Sequence, residues 1–248
     1  MVEYEQLLVI AQNAARKAMQ VLVATDNSLS SYTYADNLPR EMKSAIDCRL
    51  EEVVLDCLRV TSIPILSEES GEHGELYNNG LRWVVDPLDG TVNFVRGTAP
   101  CAVSIALWHN NTPVFGVISE YPSCRLAWGG QSFGSFVDGM PIRVSTIKEK
   151  NKAIICTGFS SRFDFSRDSM AIFLEMASSY AKVRMLGAAS LSLLHVAKGS
   201  ADAYSEQDVM IWDVAAGLAI VEGAGGCIRV LPGQFPNSHN IFADNNLI

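Results

Sequence analysis

Several things are scarce in this sequence, and each scarcity narrows what the chain can be. Its 248 residues hold four histidines, His73, His109, His195 and His239, too far apart in sequence to show the ligand spacing of a zinc site. The six cysteines are scattered with no C-x-x-C pair, as expected of small core residues in a reducing compartment. No apolar run is long enough to cross a bilayer, so no membrane partner is expected. The first residues, Met1-Val2-Glu3-Tyr4-Glu5, lack the basic start and apolar core of a secretory signal, which makes the cytoplasm the expected location. Basic residues are outnumbered: 19 Lys and Arg against 27 Asp and Glu give a net charge of -8, which argues against nucleic-acid backbones as partners. With 48% hydrophobic and 19% charged residues, what remains is an ordinary globular chain, long enough for one large domain or two smaller ones.

What is present is concentrated in one stretch, Trp83-Val84-Val85-Asp86-Pro87-Leu88-Asp89-Gly90-Thr91-Val92-Asn93-Phe94. Val84 and Val85 read as the end of a buried strand, Pro87 and Gly90 force a turn, and a helix can start after Thr91. Two carboxylates at the mouth of a strand suit a hard cation, and amides at a helix start suit an anion. The first expectation is a metal-dependent site for a phosphorylated ligand, the cations reversing the sign of an acidic surface where the phosphate sits. The same stretch also reads as a plain strand-to-helix turn, since Asp, Pro and Gly are common in loops. Two other acidic places shift the balance. Glu68-Glu69 follows the short β-run Ile63 to Leu66, and Asp213 precedes an apolar helix. Asp213 also suits a helix N-cap, worth about 1 kcal/mol, and Glu206 and Asp208 also read as loop charges. The Asp-x-Asp-x-Thr arrangement of haloacid dehalogenase phosphatases is disfavoured, because Pro87 and Leu88 put two residues between the aspartates.

Along the chain, helical stripes cover residues 3–24 and 44–59, separated by a polar loop from Thr25 to Pro39 that could act as a lid. Short strands follow: Ile63 to Ser67, Ala102 to Trp108, Val114 to Ser119, Arg125 to Trp128, Ser135 to Val137 and Ile142 to Val144. Residues 1–145 therefore read as an α+β half, with helices on a mostly antiparallel sheet. After about residue 145 strands and helices alternate: strands at Ala153 to Thr157, Val183 to Leu186, Ala201 to Tyr204 and Cys227 to Val230, helices at Ser169 to Tyr180, Ser190 to Ala197 and Val214 to Glu222. Residues 146–248 read as an α/β half, with a substrate site between the layers.

The chain resembles the inositol monophosphatase family of magnesium-dependent, lithium-sensitive phosphatases. Ile65-Leu66-Ser67-Glu68-Glu69-Ser70 is similar to the family's Glu-Glu motif, and Trp83 to Phe94 to its W-[IV]-[IV]-D-P-[IL]-D-G-T-x-N-F signature. Ile211-Trp212-Asp213-Val214-Ala215-Ala216-Gly217 with Glu222 to Gly226 is similar to its W-D-x-A-A-G…E-A-G-G signature, in the same order along the chain. The resemblance implies a layered αβαβα sugar-phosphatase fold. It implies Glu68, Asp86, Asp89 and Asp213 as side-chain metal ligands, Leu88 as a carbonyl ligand, and two to three Mg²⁺. It further implies that Asp47 orients Thr91, that Thr91 and Glu68 deprotonate the attacking water, and that the Gly90 and Thr91 amides bind phosphate. Ala188, Ala189, Glu206 and Asp213 would contact the alcohol, and a homodimer is implied.

Departures from the family pattern lie on the substrate side. Gly187-Ala188-Ala189 stands where Gly-Ser/Thr-Ala is common, so a hydroxyl is missing. Glu41 to Ile46 lacks the usual Asp-x-Val-Thr, and the 25–39 segment shows no counterpart of the metal-loop lysine. The function expected is phosphomonoester hydrolysis of a small alcohol or sugar phosphate, by direct attack of water and without a phosphoenzyme. The alternatives are fructose-1,6-bisphosphatase or 3'(2'),5'-bisphosphate nucleotidase activity, or a non-catalytic metal- or phosphate-binding interaction protein.

Overall fold

The structure is a computed structural model that describes residues 2–25, 32–35, 38–75 and 80–248. Its first helix, α1 (Val2–Val23), buries Leu7, Leu8, Ala11, Ala14, Ala15, Ala18, Met19 and Leu22 along one stripe. Alanines in that stripe let the helix lie close to its neighbours. A hairpin of β1 (Tyr32–Ala35) and β2 (Leu38–Ser44) then leads into α2 (Ala45–Leu58). The 25–39 segment, read from composition as a loop, is thus partly a strand pair, while residues 26–31 and 36–37 lie outside the described part. Local polarity hid the pairing, because a two-stranded ribbon needs no buried face to satisfy its backbone.

The larger sheet is formed by β3 (Ile65–Ser67), β4 (Gly71–His73), β5 (Leu81–Asp89), β6 (Cys101–His109), β7 (Thr112–Tyr121), β8 (Leu126–Gly130), β9 (Gly134–Val137) and β10 (Met140–Pro141). Its order is β10-β9-β8-β7-β6-β5-β3-β4, antiparallel throughout except for the parallel pair β3 and β5. A short helix, α3 (Thr91–Arg96), follows β5. The strand expected at Ile142 to Val144 is absent: β10 stops at Pro141, and Ile142 and Val144 instead donate singly to Ser135 and Ala224.

The second half holds β11 (Ile154–Thr157), α4 (Arg167–Ser178), β12 (Lys182–Arg184), α5 (Ala189–Ala197), β13 (Ala203–Met210), α6 (Ile211–Gly223), β14 (Cys227–Pro232) and β15 (Ser238–Asp244). The sheet order is β12-β11-β13-β15-β14. Strand β15, not expected from the sequence, pairs antiparallel with both β13 and β14. Glu206 and Asp208 belong to β13, at a bulge between Glu206 and Val209, and not to a loop.

Five layers result. Helices α1 and α2 cover one face of the larger sheet through Trp83, Val85, Val103, Ile105 and Phe115. Its other face (Val84, Ala102, Ala106, Ile118) shares one core with α5, α6 and the inner face of the smaller sheet (Cys156, Tyr204, Ile241). Met176 of α4 covers the outer face with Ile155 and Ala203. This is the expected αβαβα arrangement. Helix α6 is apolar all round because both sides are buried, from Val214 to Val221. It approaches β7 so closely that a Cβ on Gly116 would lie 2.2 Å from the Ala216 carbonyl oxygen. That contact sets how near the start of α6 comes to the ends of β3 and β5.

Candidate active site

The site begins where β3 and β5 run side by side. The Glu68 amide extends their ladder by donating to the Val85 carbonyl at 3.2 Å, which places Glu68 beside Asp86. The sequence expectation was a turn at Pro87. Instead β5 continues to Asp89 through a bulge: Asp86 pairs with Ser104 and Asp89 with Ala102, so three steps on β5 match two on β6. Proline has no N–H to give the ladder, and a bulge is where a strand tolerates it. In an unbroken strand, residues three apart point to opposite faces. The extra residue puts Asp86 and Asp89 on the same face as Val84, toward α6. The turn itself falls on Gly90, whose φ of 88° is left-handed.

Asp213 comes from the first turn of α6. Met210 is the N-cap, so the N-cap role expected for Asp213 does not hold. Carboxylate oxygens of Glu68, Asp86 and Asp213 all lie within 4.8 Å of one another. Asp86 is steadied by the Leu88 amide, 2.9 Å from its Oδ1. Burial first, then the neighbouring carboxylates, push the Glu68 carboxyl up to about 8 and raise Asp86 and Asp213 well above the usual range. Among the described residues, no lysine or arginine forms an ion pair with these three groups. Crowded carboxylates without a cationic partner are costly alone, and their all-oxygen donor set fits a hard divalent cation.

Beside this cluster, the Thr91 hydroxyl lies 2.9 Å from Asp47 Oδ1 and 3.0 Å from the Leu88 carbonyl. Asp47 also accepts from the Ser44 amide at 2.8 Å, so one buried carboxylate both caps α2 and holds Thr91. Burial pushes the Asp47 carboxyl up to about 6 despite these donors. Gly90 and Thr91 stand at the start of α3, where a helix leaves amides without intrahelical acceptors.

Asp89 has a different environment. The Ala189 amide donates to its Oδ1 at 3.2 Å, while the Ser190 amide (2.8 Å) and the Ser190 hydroxyl donate to its Oδ2. Ala188, the N-cap of α5, has no side chain able to cap, and Asp89 performs that task from another part of the chain. Asp89, Asp213, Ala188, Ala189 and Glu206 line a common cleft of 330 Å³. The Tyr204 hydroxyl donates to Glu206 Oε2 at 2.9 Å, and burial pushes the Glu206 carboxyl up to about 7.

The family profile described as the inositol monophosphatase family matches residues 3–247. The chain belongs to the inositol monophosphatase family. A Nus factor SuhB from Xylella fastidiosa is 35% identical over 88% of this chain and 80% of its own length. An inositol-1-monophosphatase from Mycobacterium leprae is 32% identical over 79% of this chain and 70% of its own. The solved structure of an inositol monophosphatase from Anabaena superposes with a TM-score of 0.84 at 31% identity, covering 99% of this chain and 93% of that one. Inositol monophosphatase family members are phosphatases and generally metal-dependent, and the acidic cluster described above has the donors for a metal.

Glu68, Asp86, Asp89, Thr91 and Asp213 thus lie at the ends of β3 and β5 and the starts of α3 and α6, with Asp47 at the start of α2, Ala188 and Ala189 at the start of α5 and Glu206 at the bulge of β13. Sequence reasoning missed several others. Ser190 supplies two of the three donors to Asp89. Asn93 Nδ2 ties α3 to the Pro100 and Leu186 carbonyls at 2.7 and 2.8 Å. Tyr204 holds Glu206, and Phe159 and Met185 stand on the cleft wall. Two left a signal: Asn93 is the fixed asparagine of the Trp83-to-Phe94 signature, and Ser190 is a hydroxyl displaced two positions along from the one missing at Ala188.

Proposed function

We propose that the chain is a Mg²⁺-dependent phosphomonoesterase that hydrolyses a small alcohol or sugar phosphate by direct attack of water. The observation that carries this reading is the convergence of Glu68, Asp86 and Asp213 within 4.8 Å, beside a Thr91 hydroxyl held by Asp47. Glu68, Asp86, Asp213, one oxygen of Asp89 and the Leu88 carbonyl would hold two to three Mg²⁺. When bound, these ions supply a lowered pKa for water and neutralise phosphate charge. Thr91 and Glu68 take the proton of the attacking water, while Asp47 keeps the Thr91 hydroxyl aimed. A new P–O bond forms, the ester P–O bond breaks, the leaving alkoxide takes a proton from solvent water, and Glu68 returns its proton to solvent, so that one water is consumed per ester. The Gly90 and Thr91 amides receive the phosphate, and Ala188, Ala189, Glu206 and Asp213 face the alcohol.

A second reading, an interaction role of the kind named by Nus factor SuhB, is favoured by that relative's 35% identity. The Thr91–Asp47 pair supports turnover, since a scaffold has no need of an aimed hydroxyl. Phosphate release from a panel of inositol, sugar and nucleotide phosphates separates the two. Activity is expected with Mg²⁺, lost with chelator, regained on add-back and absent in Asp89→Asn. No release from any substrate of the panel would sink the enzyme reading.

A further inference from the structure

We infer that the substrate cleft continues into an apolar subsite built from phenylalanines, so that the ester accepted here carries a ring or similar apolar group on its alcohol. This rests on the phosphatase reading and extends it to substrate class.

Phe159, Phe163, Phe165 and Phe173 pack together, with ring centroids 4.7 to 5.0 Å apart around Phe159 and between Phe163 and Phe165. A small core under the 158–166 loop would account for Phe163, which is buried. It does not account for Phe159, which is 36% exposed. Between Phe163, Phe173 and Met176 on one side and Glu206 and Gln207 of β13 on the other lies a cavity of 180 Å³. An apolar cavity of about 150 Å³ holds one benzene ring. This cavity shares Thr157, Gly158 and Glu206 with the cleft that contains Asp89 and Asp213. Gly158 keeps the seam open, because a Cβ there would lie 2.7 Å from Glu206 Oε2. On the cleft side of the seam stand Phe159 and Met185, the latter 49% exposed.

Of the hydroxyls on the cleft wall, Thr157 donates to the Ser205 carbonyl at 2.6 Å and Ser192 to the Ala188 carbonyl at 2.9 Å, while the buried Ser160 hydroxyl has no partner among the described residues; Ala188 and Ala189 offer none. A polyol would find Ser160 and Glu206 in the cleft, but beyond the seam it would face Phe163, Ile172, Phe173 and Met176, whereas a ring would fill that cavity and keep Glu206 for one donor. Continuity with the cleft and a volume of one ring make the alcohol of the substrate the occupant, in preference to a second copy of the chain.

The test compares 2-phenylethyl phosphate with ethyl phosphate, which share the same kind of alkyl ester bond, in Mg²⁺. Wild type should favour the phenyl ester by about tenfold or more in kcat/KM, the range expected for burying a ring. Phe159→Ala and Phe173→Ala should each cut that preference to within about threefold. Leu174→Ala, an exposed change elsewhere on α4, should retain it. Calorimetric binding of the corresponding phosphonates runs in parallel and should show the same preference. If neither ester is hydrolysed but the phenyl phosphonate binds tighter, the phosphatase reading fails and the subsite stands. Equal kcat/KM and equal binding, or a preference that survives both phenylalanine changes, overturns the subsite. So does a change in sedimentation of Phe159→Ala with the preference intact, which would give the cluster to a second copy.

Discussion

In one part of the site Glu68, Asp86 and Asp213 crowd together just after β3, on β5 and at the start of α6; in another, Ala188, Ala189, Phe159 and Met185 are apolar. The acidic part is set by register. A bulge turns two aspartates to one face, and a tightly packed helix brings up the third. The apolar part is set by loops and helix starts, where single side chains change the surface without disturbing a sheet. The acidic part works against the stability of the metal-free protein, because its charges are buried and repel. The apolar part carries no such penalty. Function and folding therefore pull in opposite directions in the first part and not in the second.

The largest effect expected follows from that tension. Asp86→Asn should cut turnover by on the order of 10²–10³, as for loss of a central electrostatic group. It should also stabilise the metal-free protein, since burial and the neighbouring carboxylates disfavour an ionisable group there and an amide has no charge to lose. Activity assays and denaturant titrations in chelator check both halves. A variant that is inactive and less stable than wild type without metal would break the contrast.

Next in size is the dependence of stability on pH. Burial raises Asp47 and Asp89 to about 6, Glu206 to about 7 and Glu68 to about 8. A carboxyl held above its unfolded pKa stabilises the fold while protonated. Its contribution is complete below about pH 4 and is lost as pH rises through the folded value. In chelator, Tm should therefore fall between pH 5 and pH 8.5. Mg²⁺ requires ionised ligands, so the rise in Tm on adding it should grow over the same range. A metal-free Tm that climbs across this window would show that the acidic cluster is not strained.

A smaller effect is expected at the joint between the two parts. Ser190→Ala removes one donor from Asp89 Oδ2, a hydrogen bond to a charged group worth about 1.5–3 kcal/mol. The Mg²⁺ concentration for half-activity should rise several-fold. Ser192→Ala is the control, since that hydroxyl donates to the Ala188 carbonyl at 2.9 Å and not to Asp89. Equal shifts in both variants would mean that α5 responds only to lost packing.

The two parts also differ in what could be read from sequence. Glu68, Asp86, Asp89, Thr91 and Asp213 lie in long signatures with fixed order, and the layered fold followed from the same pattern. The bulge at Pro87 was misread as a turn, because proline and glycine punctuate both and only pairing with β6 tells them apart. Strand β15 was missed because its place between β14, just before it, and β13, on the far side of α6, is set by pairing and not by its own pattern. Ser190 and Tyr204 went unnoticed for the same reason: each acts on a carboxylate whose position only the packed layers define. Composition marked 25–39 as polar, and polarity does not distinguish a loop from a two-stranded ribbon.

The smallest effect probes the apolar part directly. Ala188 is buried beside the cleft, at the point where the family pattern often has a hydroxyl. Ala188→Ser adds one oxygen there and leaves every acidic ligand unchanged. A single new hydrogen bond to a substrate hydroxyl is worth about 1 kcal/mol, or roughly fivefold in kcat/KM. The gain should appear with polyol phosphates such as glycerol 2-phosphate and not with ethyl phosphate, which has no second hydroxyl to offer. The Mg²⁺ requirement should stay where it is in wild type. A Mg²⁺ requirement that moved with this change would mean that the start of α5 transmits to Asp89 through the backbone amides, and the two parts of the cleft could then no longer be treated as separable.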